Sequence, residues 1–160
     1  MFKARTNSAG ETQQLAACIA DLSIARDLIL LVGDLGAGKT AFTQGFGRSL
    51  GVTDAITSPT FTLAKEYSGR LRLHHLDVYR IEELEEVRDL ALPELLEGES
   101  VTVIEWGDQI VPALPQDYLE IRLEYGTKEH ERDITISLVG TSWKERMAQI
   151  TKIMDRWSVL

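Results

Sequence analysis

The distribution of apolar residues along the chain predicts strands and helices in alternation. The run Leu28–Val32 has no polar interruption, which is typical of a strand buried on both faces of a parallel sheet covered by helices. Val101–Ile104 is a second apolar, β-branched run of this kind. Between them, Lys39–Leu50 is predicted to form a helix that Gly51 ends, since glycine is a common helix stop signal.

The segment ahead of the first apolar run is predicted to form a strand and a helix. Phe2–Thr6 is the strand candidate. Ser8 and Glu11 have the spacing of a capping box, which marks the start of a helix. The apolar residues that follow at helical spacing are Leu15, Cys18, Ile19 and Leu22. We expect this helix to contact the core through that face.

The middle of the chain predicts a hairpin, an acidic helix and two half-exposed strands. Phe61–Tyr67 and Leu71–Leu76 are strand candidates joined by a Ser-Gly-Arg turn. Glu82–Leu90 is predicted to be a helix with a solvated, acidic face. Tyr118–Tyr125 and Arg132–Leu138 alternate apolar and polar residues, as strands with one exposed face do.

The last 20 residues carry a separate pattern. One apolar stripe on a helix is predicted by the spacing of Trp143, Met147, Ile150, Met154 and Trp157. The chain has no internal repeat and no linker rich in Pro, Gly and Ser. We therefore expect one domain over residues 1–140, with an amphipathic helix over residues 141–160 packed on it. Such a stripe more often covers a core than binds a partner.

Composition and charge narrow the classes of protein. The chain has 160 residues, of which 44% are hydrophobic and 26% charged, as in an ordinary soluble domain. Its net charge of −8 makes it a poor electrostatic partner for bare nucleic acid or an anionic membrane. Cys18 is the single cysteine, which excludes an internal disulfide framework. Neither a membrane span nor a secretion signal is evident, so a cytosolic protein is expected.

The strongest chemical signal is the segment Gly33–Thr40, which reads GDLGAGKT and matches the phosphate-loop pattern G-x-x-x-x-G-K-[ST]. Glycines allow backbone amides to turn toward an anion, and the N-terminus of the following helix adds its positive end. Lys39 is placed to reach the β- and γ-phosphates and the Thr40 hydroxyl to bind Mg²⁺. The expected nucleotide contacts in this segment are Leu35, Gly36, Ala37, Gly38, Lys39 and Thr40.

Hydrolysis or transfer of a phosphoryl group also requires a carboxylate near the metal. Glu105 and Asp77 each follow a predicted strand, and ligands of open α/β sheets bind at the carboxyl ends of the strands. Each acid could also be a solvated residue at a strand end. Thr60 is a weaker candidate for a switch contact to Mg²⁺ or the γ-phosphate, because the Ser-Pro before it is also an ordinary turn signal.

Three functional classes fit a phosphate loop of this kind. The guanine-reading motif Asn-Lys-x-Asp is impossible because Asn7 is the only asparagine, so adenine or a less selective pocket is favoured. An ATPase that acts on a partner, a small-molecule kinase and a non-catalytic nucleotide-binding subunit stay open. No arginine-rich lid of the kind that kinases use is evident. The nearest group of cations is Arg122, Lys128 and Arg132.

Four motifs in this order resemble the bacterial TsaE (YjeE) family: GDLGAGKT at 33–40, SPTFTL at 58–63, HLDVYR at 75–80 and IEW at 104–106. The resemblance extends from about Glu11 to Tyr125. Members are small ATPases needed for the threonylcarbamoyladenosine (t6A) modification of tRNA. The resemblance implies ATP, Mg²⁺, slow intrinsic hydrolysis and a cytoplasmic location. It also implies TsaD and TsaB proteins as partners, with tRNA reached through their complex.

The resemblance assigns roles to individual residues. Lys39 and its loop would bind the ATP phosphates, and Thr40 and Glu105 would hold Mg²⁺. Asp77 would lie beside the γ-phosphate or the metal and support hydrolysis. Thr60 would belong to a switch segment, Trp106 would be needed for activity, and Glu11 loosely matches an N-terminal nucleotide contact. The implied fold class is α/β: a single P-loop NTPase domain whose mixed, largely parallel sheet has an inserted hairpin and helices on both faces.

Overall fold

The computed structural model describes residues 1–59, 64–79 and 91–159. Their strands are β1 (Phe2–Thr6), β2 (Leu28–Val32), β3 (Ala64–Tyr67), β4 (Arg72–Asp77), β5 (Ser100–Glu105), β6 (Tyr118–Tyr125) and β7 (Arg132–Val139). The α helices are α1 (Ala9–Leu22), α2 (Lys39–Ser49), α3 (Leu92–Glu97) and α4 (Met147–Ile153). Short 3₁₀ helices cover Gly107–Ala113, Lys144–Arg146 and Asp155–Trp157.

The described strands form one mixed sheet in the order β1-β7-β6-β2-β5-β4-β3. Its centre, β6-β2-β5-β4, is parallel throughout. β7 runs antiparallel to both of its neighbours, and β3 runs antiparallel to β4 at the opposite edge. The predicted α/β class and the inserted hairpin of β3 and β4 are confirmed.

Strand β2 explains why its sequence is apolar without interruption. Successive side chains of a strand point to opposite faces of the sheet. Ile29 and Leu31 pack in a core cluster with residues of α1 and α2. Leu28 and Leu30 pack in a second cluster, beside residues of α3 and of the 3₁₀ helix Gly107–Ala113. Helices therefore cover both faces of the sheet, as predicted.

The N-terminal elements agree closely with the sequence pattern. Strand β1 has the predicted bounds, and Ser8 caps α1 by accepting the backbone N–H of Glu11 at 3.1 Å. The Glu11 carboxylate accepts the backbone N–H of Asn7 at 2.7 Å. Leu15 and Ile19 are buried, and Cys18 and Leu22 pack against the same cluster. The start of the predicted strand Phe61–Tyr67 and the whole predicted helix Glu82–Leu90 lie outside the described residues.

The C-terminal segment differs from the single helix that its pattern predicts. It forms α4, with a 3₁₀ helix on each side. Residues three apart share a face in both kinds of helix, so this part of the spacing does not locate the change. The apolar stripe nevertheless joins the core cluster of α1 and α2, with Trp143, Ile150, Met154 and Trp157 buried.

Arg146 connects this segment to the turn between α1 and β2. Its Nη1 donates to Oδ2 of Asp27 at 2.6 Å, and its Nη2 donates to Oδ1 of Asp27 at 2.9 Å. The two side chains are 13% and 3% exposed. The guanidinium also lies 3.7 Å from the ring centre of Trp143. A bidentate pair with this burial loses little to solvent screening.

We expect Arg146→Leu to lower the free energy of unfolding by about 3 kcal/mol, because it leaves the buried Asp27 carboxylate without its cation. Urea unfolding followed by circular dichroism measures the loss. Lys144→Leu is the control, since Lys144 is exposed two residues away and its replacement should change stability by less than about 0.5 kcal/mol. Equal losses in the two variants would contradict a specific role for the Arg146–Asp27 pair.

Candidate nucleotide-binding site

The phosphate loop joins the end of β2 to the start of α2 and depends on its glycines. Gly36 and Gly38 have φ angles of 77° and 107°, in the left-handed region that residues other than glycine rarely adopt. A Cβ on Gly36 would lie 2.8 Å from the Tyr125 hydroxyl, and one on Gly33 would collide with the carbonyl oxygen of Leu123. At Gly33 the backbone can therefore pass this close to β6 only without a side chain, whereas at Gly36 and Gly38 the φ angle favours glycine.

The side chain of Lys39 lies across the loop and is almost completely buried. Its Nζ donates to the carbonyl oxygens of Gly33 at 2.7 Å and Asp34 at 2.8 Å. Desolvation lowers the pKa of Lys39, while the nearby carboxylates, Glu105 foremost, oppose that shift. The carbonyls and the carboxylates together stabilise the Lys39 ammonium at the position where a phosphate chain would meet the loop.

A cavity of about 320 Å³ lies against the loop, at the lower end of the range for small-molecule sites. Its lining includes the loop residues Leu35, Gly36, Gly38, Lys39 and Thr40 and also Ser58, Asp77, Glu105 and Trp106. The structure thus brings both predicted carboxylates to the predicted loop. Ala37 is fully buried and absent from this lining, and its backbone N–H donates to the carbonyl of Asp34 at 3.0 Å.

Thr40, Glu105 and His75 form a chain of hydrogen bonds at this cavity. The Thr40 hydroxyl donates to Oε1 of Glu105 at 3.2 Å, and Oε2 of Glu105 lies 2.5 Å from Nε2 of His75. The imidazole is fully buried, and its Nδ1 has no hydrogen-bond partner among the described residues. A hydroxyl and a carboxylate are hard oxygen ligands of the kind that Mg²⁺ prefers. The pair therefore fits a magnesium site completed by phosphate oxygens.

Asp77 lies beside Glu105 because β4 and β5 are parallel and in register at these two residues. Its Oδ2 accepts the Ser58 hydroxyl at 3.0 Å, and its Oδ1 accepts the backbone N–H of Tyr79 at 3.0 Å. Both oxygens are thus oriented by groups outside the phosphate loop. The carboxylate is fixed at the cavity with lone pairs left for a further donor.

Trp106 covers the lysine. Its φ of 63° is unusual for a residue other than glycine, and it turns the chain sharply at the end of β5. The backbone N–H of Trp106 donates to the carbonyl of Leu31 at 2.8 Å. Nζ of Lys39 lies 4.1 Å from the indole centre, and the ring of Tyr79 lies 4.7 Å from it on centres. The indole therefore acts as an aromatic wall of the cavity, in cation–π contact with Lys39.

Known proteins are similar to this chain in sequence and in architecture. A sequence model of the family described as "Threonylcarbamoyl adenosine biosynthesis protein TsaE" matches residues 6–134. The chain belongs to the TsaE family. A relative from Bacillus subtilis, named tRNA threonylcarbamoyladenosine biosynthesis protein TsaE, is 41% identical over 94% of both chains. A Treponema pallidum protein of the same name is 39% identical, over 82% of this chain and 97% of its own.

A solved structure agrees with the fold of this TsaE-family chain. The crystal structure of Bacillus subtilis YdiB superposes with a TM-score of 0.80 and 36% sequence identity, covering 94% of each chain. In the described ranges of this chain, no helix is long and apolar enough to span a membrane.

Three of the predicted site residues are not placed at the cavity, and the buried Ala37 is one of them. Glu11 is absent from its lining, and its carboxylate bonds instead to the backbone N–H and side-chain amide of Asn7. These bonds lie beside the Ser8 cap at the start of α1, and the nucleotide contact of Glu11 stays a prediction. Thr60 lies outside the described residues, so its switch role stays a prediction.

Three further residues of this TsaE-family chain contact the site without having been assigned there. His75 is two residues before Asp77 on β4 and therefore on the same face, so strand periodicity could have located it beside the carboxylates. Tyr125 and Arg132 bond to the phosphate loop from β6 and β7. No local pattern signals their role, since it follows from the position of β6 beside β2.

We expect Glu105→Gln to raise the Mg²⁺ concentration required for half-maximal nucleotide binding by about tenfold, because the amide keeps the shape but removes the charge of the predicted metal ligand. Mg²⁺ titrations of hydrolysis and of nucleotide binding measure the shift. Glu97→Gln, at an exposed residue, is the control. Alanine is a poorer test, since it would leave buried His75 unpaired at a cost of about 1–3 kcal/mol. An unchanged Mg²⁺ titration would remove Glu105 from the metal site.

Proposed function

We propose that this TsaE-family chain is a Mg²⁺-dependent ATPase that supports t6A formation in tRNA by acting on a TsaD–TsaB complex. One observation carries the proposal. Lys39 and Thr40 of the phosphate loop meet Asp77 and Glu105, from the ends of two parallel strands, at one cavity. Binding alone needs the loop, whereas hydrolysis also needs carboxylates at the metal and at the attacking water.

Each group has a distinct task in this proposal. The Lys39 ammonium leaves the carbonyls of Gly33 and Asp34 and donates to phosphate oxygens instead. Thr40 and Glu105 would hold the metal. Bound Mg²⁺ neutralises charge that develops on the β- and γ-phosphates. Asp77, oriented by Ser58 and Tyr79, positions the attacking water. The indole of Trp106 keeps solvent from the lysine side of the cavity.

The proposed link to tRNA runs through partners rather than through direct contact. A net charge of −8 disfavours binding to a polyanion. The relatives' names point to t6A biosynthesis, which would place the protein with tRNA in the cytoplasm. If nucleotide state changes affinity for the TsaD–TsaB complex, the complex must change nucleotide affinity by the same factor.

Hydrolysis is favoured over transfer to a small molecule by the charges at the cavity. Phosphotransferases usually surround the transferred group with Arg or Lys from a lid. Among the described residues that line this cavity, Lys39 is the only cation. Phosphoryl transfer to water requires no second substrate pocket.

The test is ATP hydrolysis measured for the protein alone, with the TsaD–TsaB complex, and with the complex plus tRNA. The complex without this protein supplies the background rate. We expect slow turnover alone and a clear increase when the complex is added. A rate that ignores the partners would contradict the proposed coupling. Faster phosphoryl transfer to an added acceptor than to water would support a kinase instead.

A further inference from the structure

The hairpin of β6 and β7 contacts the phosphate loop from behind. Tyr125, the last residue of β6, and Arg132, the first of β7, both bond to loop carbonyls. Neither residue lines the cavity. Arg132 also belongs to the group of cations for which the sequence suggested no use.

Three consecutive carbonyls of the loop accept hydrogen bonds from these two side chains. The Tyr125 hydroxyl donates to the carbonyl of Leu35. Nη2 of Arg132 donates to the carbonyl of Gly36 at 3.3 Å, and its Nε donates to that of Ala37 at 3.2 Å. In a trans peptide the N–H points opposite to the C=O. The bonds to residues 35 and 37 therefore leave the N–H groups of Gly36 and Gly38 facing the other way, and both glycines line the cavity.

Arg132 is itself anchored within the hairpin. Its Nη1 donates to the carbonyls of Glu129 at 2.9 Å and Glu131 at 2.8 Å, and its guanidinium lies 4.7 Å from the ring centre of Tyr125. The Glu131 carboxylate accepts the N–H and the hydroxyl of Thr127, each at 3.0 Å, and these bonds lower the pKa of Glu131. A closed turn thus precedes Arg132 and holds it in place. Its planar guanidinium donates to four carbonyls, two in the phosphate loop and two in the hairpin.

We propose that Arg132 and Tyr125 are positioning residues for the phosphate loop: they fix its carbonyls from behind so that the amides of Gly36 and Gly38 face a bound phosphate chain. The guanidinium also adds positive charge behind those amides. The identity of the anion rests on the proposed function. The orientation of the loop rests only on the contacts just described.

The test compares Arg132→Gln, Arg132→Lys and Tyr125→Phe with the parent protein. Arg122→Gln is the matched control, because Arg122 lies on β6 but its side chain pairs with Glu120. Titration calorimetry measures Mg-ADP binding, which needs no hydrolysis. Steady-state kinetics separate KM from kcat, and NMR relaxation measures the backbone order parameters of Gly36 and Gly38 in the free protein.

We expect Arg132→Gln to weaken Mg-ADP binding and to raise KM for ATP by about tenfold, as the loss of a charged hydrogen-bond donor does, with kcat changed less than about twofold. Tyr125→Phe should have a smaller effect of the same kind, and Arg132→Lys should restore part of the affinity. The backbone order parameters of Gly36 and Gly38 should fall in Arg132→Gln and stay at the parent values in Arg122→Gln.

Unchanged order parameters and unchanged affinity in Arg132→Gln, with only a lower melting temperature, would overturn the proposal in favour of a purely structural role. A fall in kcat with KM unchanged would also overturn it. A parent protein that binds Mg-ADP but does not hydrolyse ATP would contradict the proposed function and leave the positioning role standing. If the parent binds no nucleotide, the order parameters of Gly36 and Gly38 alone decide between the two roles.

Discussion

Lys39→Ala should lower affinity for Mg-ATP and the kcat/KM of hydrolysis by about a hundredfold or more. Each charged hydrogen bond is worth about 1.5–3 kcal/mol, and two such bonds to phosphate oxygens account for that factor at about 1.4 kcal/mol for each tenfold change. The variant also removes the ammonium that joins the carbonyls of Gly33 and Asp34, so the empty loop becomes less ordered. Calorimetry with Mg-ATP and a phosphate-release assay measure the two losses.

The matched control for this experiment is Lys152→Ala. Lys152 is an exposed lysine of α4, so its replacement makes the same change in net charge far from the loop in sequence. We expect its affinity and rate to stay within about twofold of the parent, as for most surface substitutions. Hydrolysis that survives Lys39→Ala unchanged would show that the cavity at the phosphate loop is not the site of the reaction.

Asp77→Asn should lower kcat by about a hundredfold to a thousandfold, within the range attributed to a positioned acid or base, while Mg-ATP binding changes little. The asparagine oxygen can still accept the N–H of Tyr79, so the local backbone should keep its form. What is lost is the negative charge that orients the attacking water in the proposed function. Single-turnover hydrolysis and calorimetry on the same preparation separate the two effects.

Asp54→Asn, at an exposed acid after α2, is the control for the loss of one negative charge. Loss of binding together with hydrolysis in Asp77→Asn would assign Asp77 to nucleotide binding. ATP binding with no hydrolysis in either the parent or the variant would favour the non-catalytic nucleotide-binding subunit over the ATPase.

Much of the fold could be predicted because the buried faces of its strands and helices determine where apolar residues stand in the sequence. Strand β2 packs on both faces and is apolar at every position, whereas β6 and β7 have partly exposed faces and alternate. The division of the C-terminal segment into α4 and two 3₁₀ helices could not be predicted in this way. Residues three apart share a face in both geometries, so a step of three in the apolar stripe does not distinguish them.

The site was predictable where its chemistry lies within a short segment. Lys39 and Thr40 belong to one motif, and Asp77 and Glu105 stand at strand ends that a parallel sheet brings to one edge. The contacts of Tyr125 and Arg132 depend on which strand lies next to β2. The strand order is a property of the assembled sheet, so the residues around Tyr125 and Arg132 do not predict it.

The contact between Lys39 and Trp106 makes the fluorescence of Trp106 an intrinsic probe of the phosphate loop. The chain has three tryptophans, and the other two, Trp143 and Trp157, lie buried in the C-terminal segment beneath arginines. Only Trp106 has its ring at the cavity, 4.1 Å from a lysine ammonium. Any nucleotide that draws Lys39 away must alter the field at that indole, so its emission can follow occupancy of the loop without an added dye.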